Sequence, residues 1–359
     1  MEPTELEALK NRSIQIILQN QHTSGAYLAS PNFATYHYCW FRDGSYIAHG
    51  MQQVQAYSSA EKFHDWAAIT ILSQREVIQS ARRKIAQGDK LGPADFLHTR
   101  YTLDGKIAEK EDWPNFQSDG FGTWLWALSN YVSSQGMRCK PIWLEAAELV
   151  CQYLSSVWQV PCYDLWEEFP EQQHTYTLAA IYGGLRSIEG LVGLSFKNVA
   201  EEILQVILTC CQEDGVFVKA VGRKDVDASL VALAYPYQVV EPGSDLMRNT
   251  VKRIESDLVQ NYGAHRYAAD TYYGGGQWLL LSAWLGCYHA NLGEVEEANA
   301  YLNWIINQSD HTGHMPEQVP LYLNQPAYYP QWLERWGEIA NPLLWSHASF
   351  LCLTSHLKY

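Results

Sequence analysis

Residues 277–306 read QWLLLSAWLGCYHANLGEVEEANAYLNWII. The first part, through Tyr288, is apolar on most sides. The part from Gly293 sets a charged face against a stripe of Val295, Ala298, Leu302, Ile305 and Ile306. A helix apolar all round has to be buried, whereas a helix with one apolar stripe covers something else. The stretch therefore predicts a hairpin of one inner and one outer helix.

The same alternation runs through the chain. Leu178, Ile181, Tyr182, Leu185 and Ile188 recur at helical spacing, as do Phe121, Trp124, Leu125 and Leu128, and Val199, Ile203, Val206 and Ile207. Pattern and capping signals place about twelve helices, starting near Pro3, Gly44, Ser59, Asp119, Ile142, His174, Lys197, Asp227, Leu246, Gln277, Gly293 and Leu343. Those near Asp119, His174, Gln277 and Leu343 are apolar on most sides; those near Ser59, Ile142, Lys197 and Gly293 are amphipathic. Strand-like alternation is scarce, with GVFVKAV at Gly215–Val221 the best short candidate. A plain α-solenoid would show a fixed sequence period, and none is visible. The expectation is an all-α fold, an (α/α)6 barrel of helical hairpins forming one domain over residues 1–359.

Composition narrows the partners. The formal net charge of −14 disfavours nucleic acid and anionic membranes, which select basic surfaces. No apolar run approaches the ~20 residues of a membrane span. The start, MEPTELEALKNRSIQIILQNQ, lacks a basic segment and a long apolar run, so no signal peptide is expected there. It reads as an amphipathic helix with Thr4 and Glu7 as a capping box. Eight cysteines without a C-x-x-C, Cys210 and Cys211 among them as small core residues, fit free thiols in a reducing cytoplasm. A neutral substrate, a monomer and a cytoplasmic location are expected, with no cofactor.

Fourteen Trp and 23 Tyr make the chain aromatic-rich, and several sit beside charged or amide residues in loops. Apolar ring faces next to hydrogen-bonding groups suit a sugar, with its C–H faces and hydroxyl edges. These loops are YHYCWFRDG, EDWPNFQSDG, YDLWEEFPEQQH, HRYAADTYYGGGQ and HTGHMPEQVPLYLNQPAYYPQW, and they precede inner helices. In a hairpin barrel the inner N-termini share one end, so the loops would line one mouth.

Their carboxylates are Asp43, Asp119, Glu167, Glu168, Asp270 and Glu317. Cleaving a glycosidic bond needs one carboxylic acid to protonate the leaving oxygen and one carboxylate to activate water or attack the sugar. Glu167 suits the acid, because Glu168 and Trp166 beside it would raise its pKa. Glu317, in a loop stiffened by Pro316, suits the base. On the pair alone, Glu167–Glu168 reads rather as solvated charges on a turn. Arg42 with Asp43, and likewise Arg266, fit either hydroxyl binding or a local ion pair. His311 and His314 stand three apart, but Gly313 and Pro316 argue against a helix there and no Cys is near, so no metal is expected. The glycines of YYGGGQW follow no strand and read as a turn, not a phosphate loop.

Taken together, YHYCWFRDGSYIA, LHTRYTLDG, WPNFQSDGFGTWLWAL, YDLWEEFPEQQHTYTLAAIYGGL, DVDASLVAL, HRYAADTYYGGGQWLLLSAWLG, MPEQVP and NPLLWSHASFL run in order from about residue 36 to 351. In these segments the chain resembles the family-15 glycoside hydrolases: glucoamylases, glucodextranases, isomaltose glucohydrolases and some trehalases. The resemblance implies an (α/α)6 barrel and an inverting attack at the non-reducing end of α-glucosides. It also implies roles: Glu167 as general acid, Glu317 as general base, and Glu168 as a substrate contact near the scissile bond. Arg42 and Asp43 would hold hydroxyls of the terminal glucose, Arg266 would bond the sugar at the acid side, and Trp113, Tyr36 and Trp40 would shape the pocket. Many relatives carry an N-terminal β-sandwich or a starch-binding module; neither is expected here. Short α-glucosides, isomaltose and α-1,6 linkages foremost, are therefore expected. The alternatives are a glucoamylase acting on α-1,4 linkages, an α,α-trehalase, and, more distantly, a phosphorylase on the same barrel.

Overall fold

The computed structural model describes residues 3–108 and 113–359. The helices in chain order are α1 (Pro3–Gln19), α2 (Phe41–Gln53), α3 (Tyr57–Ser73), α4 (Arg75–Gln87) and α5 (Asp119–Gln135). They continue with α6 (Pro141–Val157), α7 (Thr175–Ile188), α8 (Lys197–Cys210) and α9 (Asp245–Leu258). The last are α10 (Leu279–Asn291), α11 (Val295–Asn307), α12 (Tyr329–Trp336) and α13 (Leu344–His356).

The apolar helices close a ring. α2 packs on α5, α5 on α7, α7 on a 3₁₀ segment at Ala228–Leu233, that segment on α10, α10 on α13, and α13 back on α2. The amphipathic helices cover this ring from outside: α1 against α13, α3 against α2, α6 against α5, α8 against α7, α9 against the 3₁₀ segment and α11 against α10. The molecule is thus the expected all-α barrel of inner and outer helices. One hydrophobic core runs through it from Ile16 to Leu353. α5 and α7 approach backbone to backbone because Gly122 and Gly184 face each other. A Cβ on Gly184 would stand 2.3 Å from the Gly122 carbonyl oxygen.

The expectations fail in several places, each for a physical reason. The inner segment near Asp227 is a six-residue 3₁₀ turn, not an α-helix. Pro236 lies a few residues on; it offers no N–H and disfavours helical geometry in the residue before it. The long run after Ser59 is two helices, α3 and α4, broken at Gln74. α12 was hidden because Pro330 reads as a breaker, yet proline is well placed in a helix's first turn. Thr4 lies inside α1 and is no cap, and Glu7 bonds Lys10 and Asn11 instead. Cys210 is exposed, whereas Cys211 is buried as expected. Glu111 and Asp112 of the EDWPNFQSDG loop lie outside the described residues.

Short strands fix the loops at one end of the ring. β1 (Cys39–Trp40) pairs with β2 (Arg100–Tyr101) and holds Trp40 just ahead of α2. β3 (Gln212–Glu213) and β4 (Val216–Phe217) form a hairpin, of which only β4 falls within Gly215–Val221, the stretch expected to be extended. β5 (Val259–Gln260), β6 (Gly263–Ala264), β7 (Gln277–Trp278) and β8 (Gln318–Val319) make a four-stranded antiparallel sheet in that order. It ties the HRYAADTYYGGGQ loop to the residue after Glu317.

Candidate active site

A cavity of about 300 Å³ opens at this end of the barrel, and all of Tyr36, Trp40, Arg42, Asp43, Trp113, Glu167, Glu168, Arg266 and Glu317 line it. The loops ahead of α2, α5, α7, α10 and α13 converge there, as their position in the hairpin pattern requires.

The two adjacent glutamates part company. Asp164 organises their turn: its Oδ1 accepts from the backbone N–H of Trp166 and of Glu168, both at 2.9 Å. The Asp164 carbonyl accepts from the Glu167 N–H at 2.9 Å. Asp164 is itself held by Lys219 Nζ at 3.1 Å, and Lys219 donates to Asp227 at 2.6 Å. Asp227 also accepts the Trp166 indole N–H at 2.9 Å. This buried triad keeps Glu167 at φ 68°, a left-handed backbone that costs about 1–3 kcal/mol for a residue with a Cβ. Glu167 Oε1 then accepts from Trp40 Nε1 at 2.8 Å and from Gln117 Nε2 at 3.0 Å. Both donors converge on one oxygen, leaving Oε2 for the cavity. Glu168 turns to the other side, where its Oε2 accepts from Tyr267 at 2.6 Å and its Oε1 lies 3.5 Å from Arg266. Burial holds the Glu168 carboxyl above its ordinary range, against the opposing Arg266 charge.

Glu317 stands on another wall. It is 3 % exposed, its backbone N–H is tied to the Ala340 carbonyl at 2.9 Å, and its Oε1 accepts from Tyr36 at 2.9 Å. Tyr36 and Tyr272 hydroxyls are 3.1 Å apart. Glu317 Oε2 is buried and makes no hydrogen bond to a described residue. Burial pushes this carboxyl up to about 7, with nearby Asp43 adding to the rise and the Tyr36 hydrogen bond and Arg266 opposing it.

Asp43 lies in the first turn of α2 and is likewise pushed up to about 7 by burial, with Arg42 opposing. Arg42 spends Nη1 on Gln117 at 2.7 Å and on Asp119 at 3.1 Å, and its Nε is 3.5 Å from Asp43, an ion pair without hydrogen-bond geometry. Gln117 thereby links Arg42 to Glu167. Arg266 is buried in a two-pronged pair with Asp270, Nε to Oδ2 at 2.7 Å, and is ringed by Trp166, Tyr272 and Trp278. The Tyr36 and Trp40 rings meet edge-on at 5.6 Å, and Trp40 and Trp113 at 6.0 Å. The whole is a deep aromatic pocket with two separately held carboxyls and two buried arginines.

Sequence reading missed some of this. Gln117 was given no role, and Asp164, Lys219 and Asp227 were not linked to the glutamate turn. Tyr267, which bonds Glu168, follows Arg266 directly and was legible as its neighbour. Trp332, Arg335 and Trp336 of α12 also line the cavity; the four-residue spacing of the two tryptophans was the available signal. His311 is exposed, and His314 lies 3.5 Å from Arg12; neither lines the cavity. Among the described residues no group of His, Cys, Asp or Glu is arranged to hold a metal ion. No helix among them is long and apolar enough to cross a membrane.

Comparisons with known proteins show the family and the fold. The family model for glycosyl hydrolases family 15 matches residues 3–311. Isomaltose glucohydrolase of Kribbella flavida is 37% identical over 99% of this chain and 94% of its own length. A solved glycosidase, a glutamate-to-alanine variant in complex with glucose, is 36% identical, superposes with a TM-score of 0.96, and is matched over 100% of this chain and 99% of its own. The glucoamylase of Saccharomycopsis fibuligera shares the fold at a TM-score of 0.75 and 15% identity, over 99% of this chain and 95% of its own.

Proposed function

The chain belongs to glycosyl hydrolases family 15 and is an exo-acting α-glucosidase of that family, and on that premise we propose an inverting enzyme that releases β-glucose from short α-1,6-linked glucosides such as isomaltose. In this reading the terminal glucose sits against Arg42 and Asp43 on the pocket floor, between Tyr36, Trp40 and Trp113. Glu167 gives its proton from Oε2 to the glycosidic oxygen as the bond to C1 breaks. Glu317, as carboxylate, takes a proton from a water whose oxygen bonds C1 from the opposite face. The products are β-glucose and the aglycone bearing a new hydroxyl, and the two carboxyls exchange protons with solvent to reset. Arg266 bonds the sugar at the acid side, and Glu168 contacts the substrate near the scissile bond.

The observation that carries the reading is the division of labour between the carboxyls. Glu167 has both donors on one oxygen, while Glu317 keeps a buried oxygen without a donor, suited to accept a hydrogen bond from water. The likeness to isomaltose glucohydrolase over nearly the whole of both chains supports the linkage. Catalysis in one domain, in the cytoplasm and by a monomer, completes the proposal.

A leaving-group test separates the two roles. Fluoride leaves without protonation, so Glu167→Gln should lose about 10²–10⁴-fold on isomaltose and keep most hydrolysis of α-glucosyl fluoride. Glu317→Gln should lose both. Glu167→Gln failing equally on the two substrates would remove it as the acid, and an active Glu317→Gln would remove it as the base.

A further inference from the structure

The pocket has a gradient of depth. Arg42, Asp43, Arg266 and Glu317 are buried at its closed end, Trp113, Trp332 and Trp336 are half-buried, and Arg335 is exposed. An exo-acting site takes the terminal ring at the closed end, so whatever follows the scissile bond has to leave past the half-buried tryptophans.

α12 supplies most of that exit. It belongs to the excursion of residues 320–343 between β8 and α13, and it packs outside the main core, on a small cluster of Phe33, Tyr273 and Ala340. Trp332 and Trp336, one helical turn apart, share a face. Trp332 meets Tyr272 at 5.0 Å, and Trp336 meets Trp113 at 5.6 Å, so the helix forms a wall continuous with the ring that also bears Trp113. The Arg335 guanidinium lies 5.3 Å and 5.5 Å from the two indoles and makes no ion pair or hydrogen bond to a described residue. Its donors remain free for a ligand. Flat aromatic faces beside a multiple donor recognise a neutral pyranose, which stacks its C–H face and offers hydroxyls at its edge.

We propose that α12 is the aglycone wall of this enzyme, with Trp336 and Trp332 stacking the sugar ring that follows the scissile bond and Arg335 bonding its hydroxyls. This rests on reading the pocket as an exo-acting α-glucosidase site. It assigns to one surface excursion the preference for a saccharide aglycone over other leaving groups.

The test compares isomaltose with α-glucosyl fluoride, which has no second ring. Trp336→Ala and Arg335→Ala should each lower kcat/KM for isomaltose by roughly tenfold, the worth of one stacked or charge-assisted contact, through KM more than kcat. Both should stay within about twofold of wild type on the fluoride. Trp336→Phe should recover most of the isomaltose activity. Arg335 is exposed, so its replacement leaves the packing intact if Trp336→Ala misfolds. Unchanged isomaltose kinetics in both variants, or equal losses on both substrates, would overturn the proposal. A wild-type enzyme that hydrolyses neither substrate would instead overturn the underlying reading, and this one with it.

Discussion

Glu167 and Glu168 share a peptide bond and face different partners, because Asp164 folds their turn and forces a left-handed backbone between them. The two roles were legible through the family resemblance, but what holds the side chains apart was not: Lys219 and Asp227 stand far along the chain from Asp164 and meet it only after folding. Glu317 was legible as a candidate base, but its donor, Tyr36, lies 281 residues away. That donor makes a pH prediction. A base must be ionised, so kcat/KM should rise with pH through a limb near 7, where burial places Glu317. Asp43, raised to the same range by burial, adds to the rise of Glu317. A hydrogen bond to the carboxylate favours the charged form, so Tyr36→Phe should raise the Glu317 pKa and move the limb to higher pH. A pH–rate profile checks this; an unmoved limb, or one moved to lower pH, would contradict it.

Helices were the most legible part of the molecule, since apolar-all-round and striped segments announce inner and outer places. What escaped was decided by proline and by single polar residues. Pro236 follows the fourth inner element, a 3₁₀ turn, and Pro330 stands in the first turn of α12, a helix absent from the sequence expectations. The contact of α5 with α7 was equally invisible, because it rests on two glycines that fall opposite each other only in the closed ring. Gly184→Ala would drive a Cβ to 2.3 Å from a backbone oxygen, which cannot rotate away as a side chain could. Overpacking of that kind costs about 1–3 kcal/mol. Chemical denaturation should show the unfolding free energy falling by that amount, through a lower midpoint with the slope unchanged. A midpoint equal to wild type would mean that the two helices part at no cost.

Closing the ring turns a one-dimensional pattern into a site. Loops spread from Tyr36 to Leu343 reach one mouth because inner helices all enter from the same end, and their N-termini favour the negative charge gathered there. The net charge of −14 fits a neutral substrate that needs no electrostatic steering. The nine residues singled out from sequence share one cavity, while the wall that completes it, α12, came from a segment without helical periodicity long enough to read. Two carboxyls on separate walls of this pocket should invert the anomeric carbon in one displacement. Proton NMR of the first glucose released from isomaltose, recorded faster than mutarotation, tests it most directly. The β-anomer should appear first and decay toward equilibrium; initial release of α-glucose would contradict the account.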